Sequence, residues 1–160
     1  MELRFEHLVE APIEAVFAFH ENPANLALLL EEWDAFRLIH HDGHIHVGST
    51  TWFEVGVARF LPVVLGFVHT VYEPPHRFAE ELIHGPFRRF VHIHEFAGSA
   101  NGTVVRDLLN VSLPWWYGGE SAMNVWLRSA LERVFDTRGR ALARIGPGCA
   151  VSLVGDKCAD

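Results

Sequence analysis

One long segment of this chain repeats its apolar residues at helical spacing, and it lies near the C-terminal end. From Ser121 to Ile145, the residues Met123, Trp126, Leu127, Ala130, Leu131, Val134, Phe135, Leu142 and Ile145 recur mostly at intervals of three and four. That spacing places them on one face of an amphipathic helix. Gly139 costs such a helix about 1 kcal/mol, and Gly146-Pro147-Gly148 stops it. A helix of some 25 residues is roughly 37 Å long at 1.5 Å per residue. Its apolar face needs a surface to cover, and the preceding chain offers mainly strands.

Leu3 to Glu10 alternates as a strand and ends at Ala11-Pro12. Pro12 suits the first turn of a helix, which Ile13, Val16, Phe17 and Phe19 continue. Asn22 is placed to cap a second short helix from Pro23 to about Glu31. Strands are then predicted over Ala35–His41, Ser49–Phe60, Val63–Glu73, Arg77–His84, Arg89–Ala97 and Thr103–Leu113. Asp42-Gly43 reads as a hairpin turn, Leu61-Pro62 as a break, and Gly98 to Gly102 as a second hairpin. Consecutive hairpins followed by one long helix give an α+β fold: a curved antiparallel sheet of six or seven strands around the C-terminal helix. Such a sheet wrapped around a helix leaves a cavity between them. Residues 1–145 read as one domain and residues 146–160 as a tail.

The net charge is −7, with 13 basic and 20 acidic residues. Residues 1–34 hold eight acids and one base, Arg4, so the excess is confined there. No basic stripe exists to meet nucleic acid or an anionic membrane. The apolar run from Phe60 to Tyr72 is too short to span a bilayer, which takes about 20 residues. The opening Met1-Glu2-Leu3-Arg4-Phe5-Glu6 lacks the pattern of a signal peptide. A cytoplasmic location is the expectation, with the thiols of Cys149 and Cys158 reduced. No phosphate loop, serine-hydrolase elbow or cysteine occurs in the body of the chain.

The chemistry gathers in Gly85-Pro86-Phe87-Arg88-Arg89-Phe90-Val91-His92-Ile93-His94-Glu95-Phe96. Strand parity puts Phe90, His92, His94 and Phe96 on one face. If the following hairpin closes at Ala100-Asn101, His94 lies opposite Asp107 and His92 opposite Leu109. A tip at Asn101-Gly102 instead sets Phe96 opposite Asp107. Both registers keep His92, His94 and Asp107 on one face. A carboxylate beside an imidazole fixes its tautomer and raises its basicity, as a general base requires. The same trio also suits a structural network whose hydrogen bonds are satisfied internally. One of Glu80 and Glu81 must turn inward by parity. His44-Ile45-His46 and His92-Ile93-His94 are both His-x-His, a zinc-like spacing that needs a third ligand; His40 and His41 lie near the first pair, but that pair follows a turn, no cysteine ligand or His-Glu-x-x-His motif supports a site, and neither a metal nor another cofactor is expected.

The opening strand ending in Ala11-Pro12, then Val16-Phe17-Ala18-Phe19 and Asn22-Pro23-Ala24-Asn25-Leu26, resembles the START-like and Bet v 1-like helix-grip superfamily. That superfamily includes polyketide cyclases and dehydrases, and Phe78, Gly85-Pro86-Phe87, His92-Ile93-His94-Glu95-Phe96, Gly102-Thr103 and Asp107 resemble a bacterial subgroup of it. The resemblance covers about residues 3–145. It implies a pocket for a hydrophobic ligand, and one fold of this kind hosts binders and enzymes alike. Phe90 stands where the subgroup has a tryptophan, and Leu82 where it has a polar residue, which implies a more apolar cavity.

The expected function is binding of a small hydrophobic ligand. Phe78, Phe90, His92, His94, Phe96 and Asp107 would form the wall, and Trp126 and Ala130 the roof. In an enzyme of the cyclase type, His94 would be the base, oriented by Asp107, with His92 holding the developing enolate. A third reading is an interaction module that uses Trp115, Trp116 and the acidic N-terminal segment. Neither the ligand nor the oligomeric state follows from the sequence.

Overall fold

A computed structural model describes residues 1–22, 25–29, 36–58, 61–118, 121 and 127–144. Its strands are β1 (Glu2–Val9), β2 (Phe36–His41), β3 (Thr50–Ala58), β4 (Leu61–Glu73), β5 (Arg77–His84), β6 (Arg89–Ser99) and β7 (Gly102–Ser112). Helix α1 (Ile13–Glu21) and the single turn α2 (Leu26–Leu29) follow β1, and α3 (Arg128–Arg144) closes the described chain. The seven strands form one antiparallel sheet in the order β1-β7-β6-β5-β4-β3-β2. Strands β2 to β7 run as a meander, and β1 returns to pair with β7 along its whole length, from Glu2↔Asn110 to Val9↔Thr103. The result is the expected α+β helix-grip architecture, with α1, α2 and α3 on one face.

The β6–β7 hairpin closes at Ala100-Asn101, with Ser99 paired to Gly102 and His94 to Asp107. Two expectations about turns fail. Asp42-Gly43 does not form a tight hairpin: β2 and β3 are joined by residues 42–49, and His41 pairs with Thr51. The Asp42 carboxylate holds this longer loop by accepting from the Thr50 backbone N–H at 2.7 Å and its hydroxyl at 2.9 Å. The break expected at Leu61-Pro62 is misplaced rather than absent: β3 ends at Ala58 and β4 begins at Leu61, so Pro62 lies inside a strand and pairs with Gly56. Strand β5 runs beside β4 only as far as Gly66↔His84, so on that side no ladder is interrupted by the missing N–H.

Along the inner face two apolar clusters form. One joins Leu3, Phe67, Phe90, Leu109, Val111 and Phe135, and the other Val9, Phe17, Phe78, Phe96, Val105 and Leu142. Helix α3 contacts β1 most. Phe135 stacks on Phe5 with ring centroids 4.5 Å apart. One turn further along the helix, Gly139 lies over the His7 ring; a Cβ there would come within 2.3 Å of an imidazole carbon. The glycine that weakens the helix is what lets α3 settle onto β1.

Gly139→Ala should therefore lower stability by about 1–2 kcal/mol, as overpacking does, although alanine is the better helix former. His7→Ala in the same chain should restore it. Chemical denaturation of the three variants measures this, and a Gly139→Ala protein more stable than wild type would refute the contact.

Candidate functional site

Every strand from β4 to β7, together with β1, changes chemistry at the same level of the inner face. On β6 the order is Phe90, His92, His94, Phe96; on β7 it is Leu109, Asp107, Val105. On β5 Glu80 lies between Leu82 and Phe78, on β4 His69 between Phe67 and Tyr72, and on β1 His7 between Phe5 and Val9. Helix α3 repeats the pattern with Phe135, Arg138 and Leu142. A polar band thus crosses the sheet between the two apolar clusters, held in line by the pairs His69↔Glu80, Glu80↔His92 and His94↔Asp107.

Asp107 is the centre of the band and is completely buried. Its Oδ1 accepts from His92 Nε2 at 3.0 Å and lies 3.2 Å from the Arg138 guanidinium. His94 Nδ1 is 2.8 Å from the same oxygen. A proton on Nδ1 would be donated to this carboxylate, while Arg138 Nη2 also lies within hydrogen-bonding distance of that nitrogen, at 3.3 Å. His92 Nδ1 reaches Glu80 Oε1 at 3.2 Å, while His94 Nε2 stands 4.0 Å from that oxygen. His69 Nε2 lies 3.7 Å from Glu80 Oε2, and its Nδ1 lies 3.1 Å from the Ser49 carbonyl. Asp107 Oδ2 and Arg138 Nε have no hydrogen-bond partner among the described residues.

The charges nearly cancel. Burial opposes ionisation of Asp107, but the Arg138 charge and the two imidazoles hold its carboxyl well below the usual range. Glu80 is likewise held down by His92 and His94 against its burial. Burial works against protonated His92, yet hydrogen bonds to both carboxylates raise its pKa. His94 goes the other way, lowered by burial and by the His92 charge. Two imidazoles with ring centroids 3.8 Å apart are therefore shifted in opposite directions, His92 toward the charged form and His94 toward the neutral one. With His92 protonated, two carboxylates are balanced by one guanidinium and one imidazolium. Removing a single partner would strand a buried charge, at about 3–5 kcal/mol.

The expected wall residues are all on the inner face, but in three groups. Phe90 belongs to one apolar cluster, Phe78 and Phe96 to the other, and His92, His94 and Asp107 to the band between. Phe78 stacks on His94 at 4.3 Å, and Phe135 meets the His92 ring at 5.4 Å. Ala130 is half-buried on α3, and Trp126 lies outside the described residues. Glu80, not Glu81, turns inward. His44 and His46 are exposed in the β2–β3 loop. Sequence reasoning missed Arg138, His69 and His20. Arg138 carried a signal: it falls three residues after Phe135 and four before Leu142, on the apolar stripe of the helix. His20 is buried on α1, donates Nδ1–H to the Val16 carbonyl at 2.7 Å, and lies 6.4 Å from the His94 ring.

A concavity of about 490 Å³ opens at the end of the sheet, between the β5–β6 turn and the chain leaving β7. Gly85, Pro86, Phe87, Arg88, Pro114, Trp115 and Trp116 line it. Trp115 is 82% exposed. Phe87 meets Phe90 edge-on at 5.2 Å, and Phe90 meets Phe67 at 5.4 Å, so rings continue from this concavity into the core.

Residues 9–143 match the family described as polyketide cyclase/dehydrase and lipid transport. The chain belongs to this family. Solved structures repeat its fold at low identity. A protein of Chromobacterium violaceum superposes with a TM-score of 0.71 at 16% identity, covering 91% of this chain and 97% of its own. One from Thermus thermophilus gives 0.69 at 17% identity, covering 90% and 95%. An AHSA1-like protein of Aeromonas hydrophila gives 0.65 at 16% identity, covering 98% and 100%. No curated protein matches the sequence. Among the described residues no helix is long and apolar enough to cross a membrane.

The band sets the pH response of this family member. Burial, with Arg138 nearby, pushes His20 down to about 3. Above its ordinary 6.5 it is neutral folded and unfolded; as pH falls from 6.5 toward 3, stability is lost at about 1.4 kcal/mol per pH unit. His92 has the opposite sign, its contribution being full below 6.5 and lost as pH rises through its raised pKa. Denaturation midpoints across pH 4–9 should fall on both sides, and His20→Leu should flatten the acid side. An unchanged acid slope in that variant would remove His20 from the account.

Proposed function

We propose that this protein binds a small, largely apolar ligand that enters at the aromatic concavity and extends over Phe87 and Phe90 toward the polar band. The observation that carries this reading is the run of rings from Trp115 and Phe87 to Phe90 and Phe67. A volume of about 490 Å³ is within the usual range for ligand sites, roughly 300–1,000 Å³. His92 follows Phe90 on the same face, so the inner end of the ligand would reach the edge of the polar band. Membership of a family described by both cyclisation and lipid transport supports ligand binding in general; the apolar ligand and its path are the reading offered here.

A second reading is favoured by the paired imidazoles. His94, shifted toward the neutral form, would be a base beside the charge favoured on His92, an arrangement that could take a proton next to a carbonyl and steady the enolate electrostatically. Asp107 would be the positioning residue for both rings.

Binding is tested by displacing a fluorescent anilinonaphthalene sulfonate probe with decanoate. Trp115→Ala and Phe87→Ala should each weaken probe or decanoate affinity about tenfold, a loss of about 1.4 kcal/mol. Leu8→Ala, on the outer face of β1, should leave it unchanged. Wild-type affinity in both aromatic variants would overturn the proposed entrance.

The two readings separate by native mass spectrometry of the protein and its His94→Ala variant, each purified from the native host. An apolar mass carried by both is expected of a binder. A mass retained by the variant and absent from the intact protein would mean turnover.

A further inference from the structure

The orientation of the histidines in the band leads beyond ligand binding. His92 and His94 each turn one nitrogen to Asp107 Oδ1, at 3.0 and 2.8 Å, and the other toward Glu80 Oε1, at 3.2 and 4.0 Å. His69 turns Nδ1 to the Ser49 carbonyl at 3.1 Å and Nε2 toward Glu80 Oε2 at 3.7 Å. The far nitrogen of each ring faces a carboxylate or carbonyl oxygen and can carry a proton there. The near nitrogens of the neutral rings then present lone pairs to a carboxylate. Acceptors converging on acceptors require a positive charge among them.

One proton on His92 meets part of that requirement. A metal ion meets all of it. One donor atom each from Glu80, His92 and His94 gives a set lying within 4.8 Å of one another. Bonds of about 2.0–2.1 Å, as zinc makes to imidazole nitrogen and carboxylate oxygen, imply donors roughly 3.3 Å apart in a tetrahedron. The observed 3.2 and 4.0 Å separations from Glu80 Oε1 straddle that value. Metal-bound histidines characteristically donate their other N–H to a carboxylate or a backbone carbonyl. Asp107 supplies such a partner to two rings at once, and Arg138 balances its charge.

We propose that Glu80, His92 and His94 form a binding site for one divalent transition-metal ion of the zinc or ferrous class, with Asp107 fixing both imidazoles from behind. His69 completes the surroundings of Glu80, with Nε2 3.7 Å from Oε2, outside the set of three donors. Nitrogen and oxygen donors of this kind suit zinc and ferrous ions, whereas magnesium and calcium favour oxygen alone. The Glu80 side chain keeps 15% exposure, more than either histidine, which marks the side of entry. Loading displaces the proton that His92 otherwise holds between its two carboxylates, so affinity should fall as pH is lowered. His-x-His alone did not specify this site, because the third ligand comes from β5, twelve residues before His92.

The test is titration of chelator-dialysed full-length protein with Co²⁺, read by its visible d–d absorption, with Zn²⁺ as competitor. One ion per chain, displaced by one equivalent of Zn²⁺, is expected. Glu80→Gln and His94→Gln should abolish the bands, and Asp107→Asn should weaken binding about 10–100-fold. His44→Ala with His46→Ala, in the exposed loop, should leave the bands intact. The same titration on Trp115→Ala should be unchanged, which keeps failure of this site distinct from failure of the apolar entrance. Absence of d–d bands in wild type at stoichiometric Co²⁺ overturns the proposal. So do bands that survive in folded Glu80→Gln, or bands lost in the His44/His46 double variant. If Glu80→Gln fails to fold by circular dichroism, the wild-type spectrum and the loop variant still decide.

Discussion

The arrangement of the core depends on the ionised carboxylate of Asp107, which has no exposed surface. A charge in that position persists only if it is surrounded by donors. His92 and His94 come from the neighbouring strand and Arg138 from the helix across the sheet. Those three contacts set the register of β6 on β7, the rotation of α3 about its axis and the depth at which the helix sits. A one-residue slip of β7 would turn Asp107 outward and leave two imidazoles and a guanidinium buried without their counter-charge. A purely apolar core would tolerate several helix rotations. This one penalises all but the rotation that brings Arg138 over the band. Gly139 belongs to the same arrangement, because it lets the helix approach the His7 ring on the edge strand.

The fold was legible because its signals are local. Alternation marks each strand, turn residues separate them, and three-and-four spacing marks the final helix. The failures were also local. Asp42-Gly43 has the composition of a tight turn, yet the Asp42 carboxylate is engaged with Thr50 and helps organise an eight-residue loop. Pro62 looked like a terminator because a proline is incompatible with a strand paired on both sides, and no sequence pattern says that β5 stops short of it.

The site was legible by halves. His92, His94 and Asp107 could be placed on one face by parity, and counting back from the hairpin tip allowed the pairing that the structure adopts. Glu80 could not be chosen over Glu81, because the bulge on β4 near Thr70 and the register of β5 decide the matter. Arg138 was hidden by its charge: an arginine on an amphipathic helix is ordinarily assigned to water. Only the counter-charge, thirty-one residues earlier on another element, explains its place on the apolar stripe. Family membership and structural likeness account for the architecture. The chemistry lies in side chains that these comparisons, at 16–17% identity, do not carry over.

The pairing of β1 with β7 has a consequence for how the chain is made. The partner of Leu3 is Leu109, and Val9 waits for Thr103. On a ribosome adding roughly 5–20 residues each second, β1 spends several seconds without its ladder. An unpaired strand is a template for other nascent chains. Glu2 and Glu6 alternate with its apolar residues, and eight of the first thirty-four residues are acidic. The strand that waits for its partner therefore lies in the segment where the acidic residues are concentrated, and like charges repel.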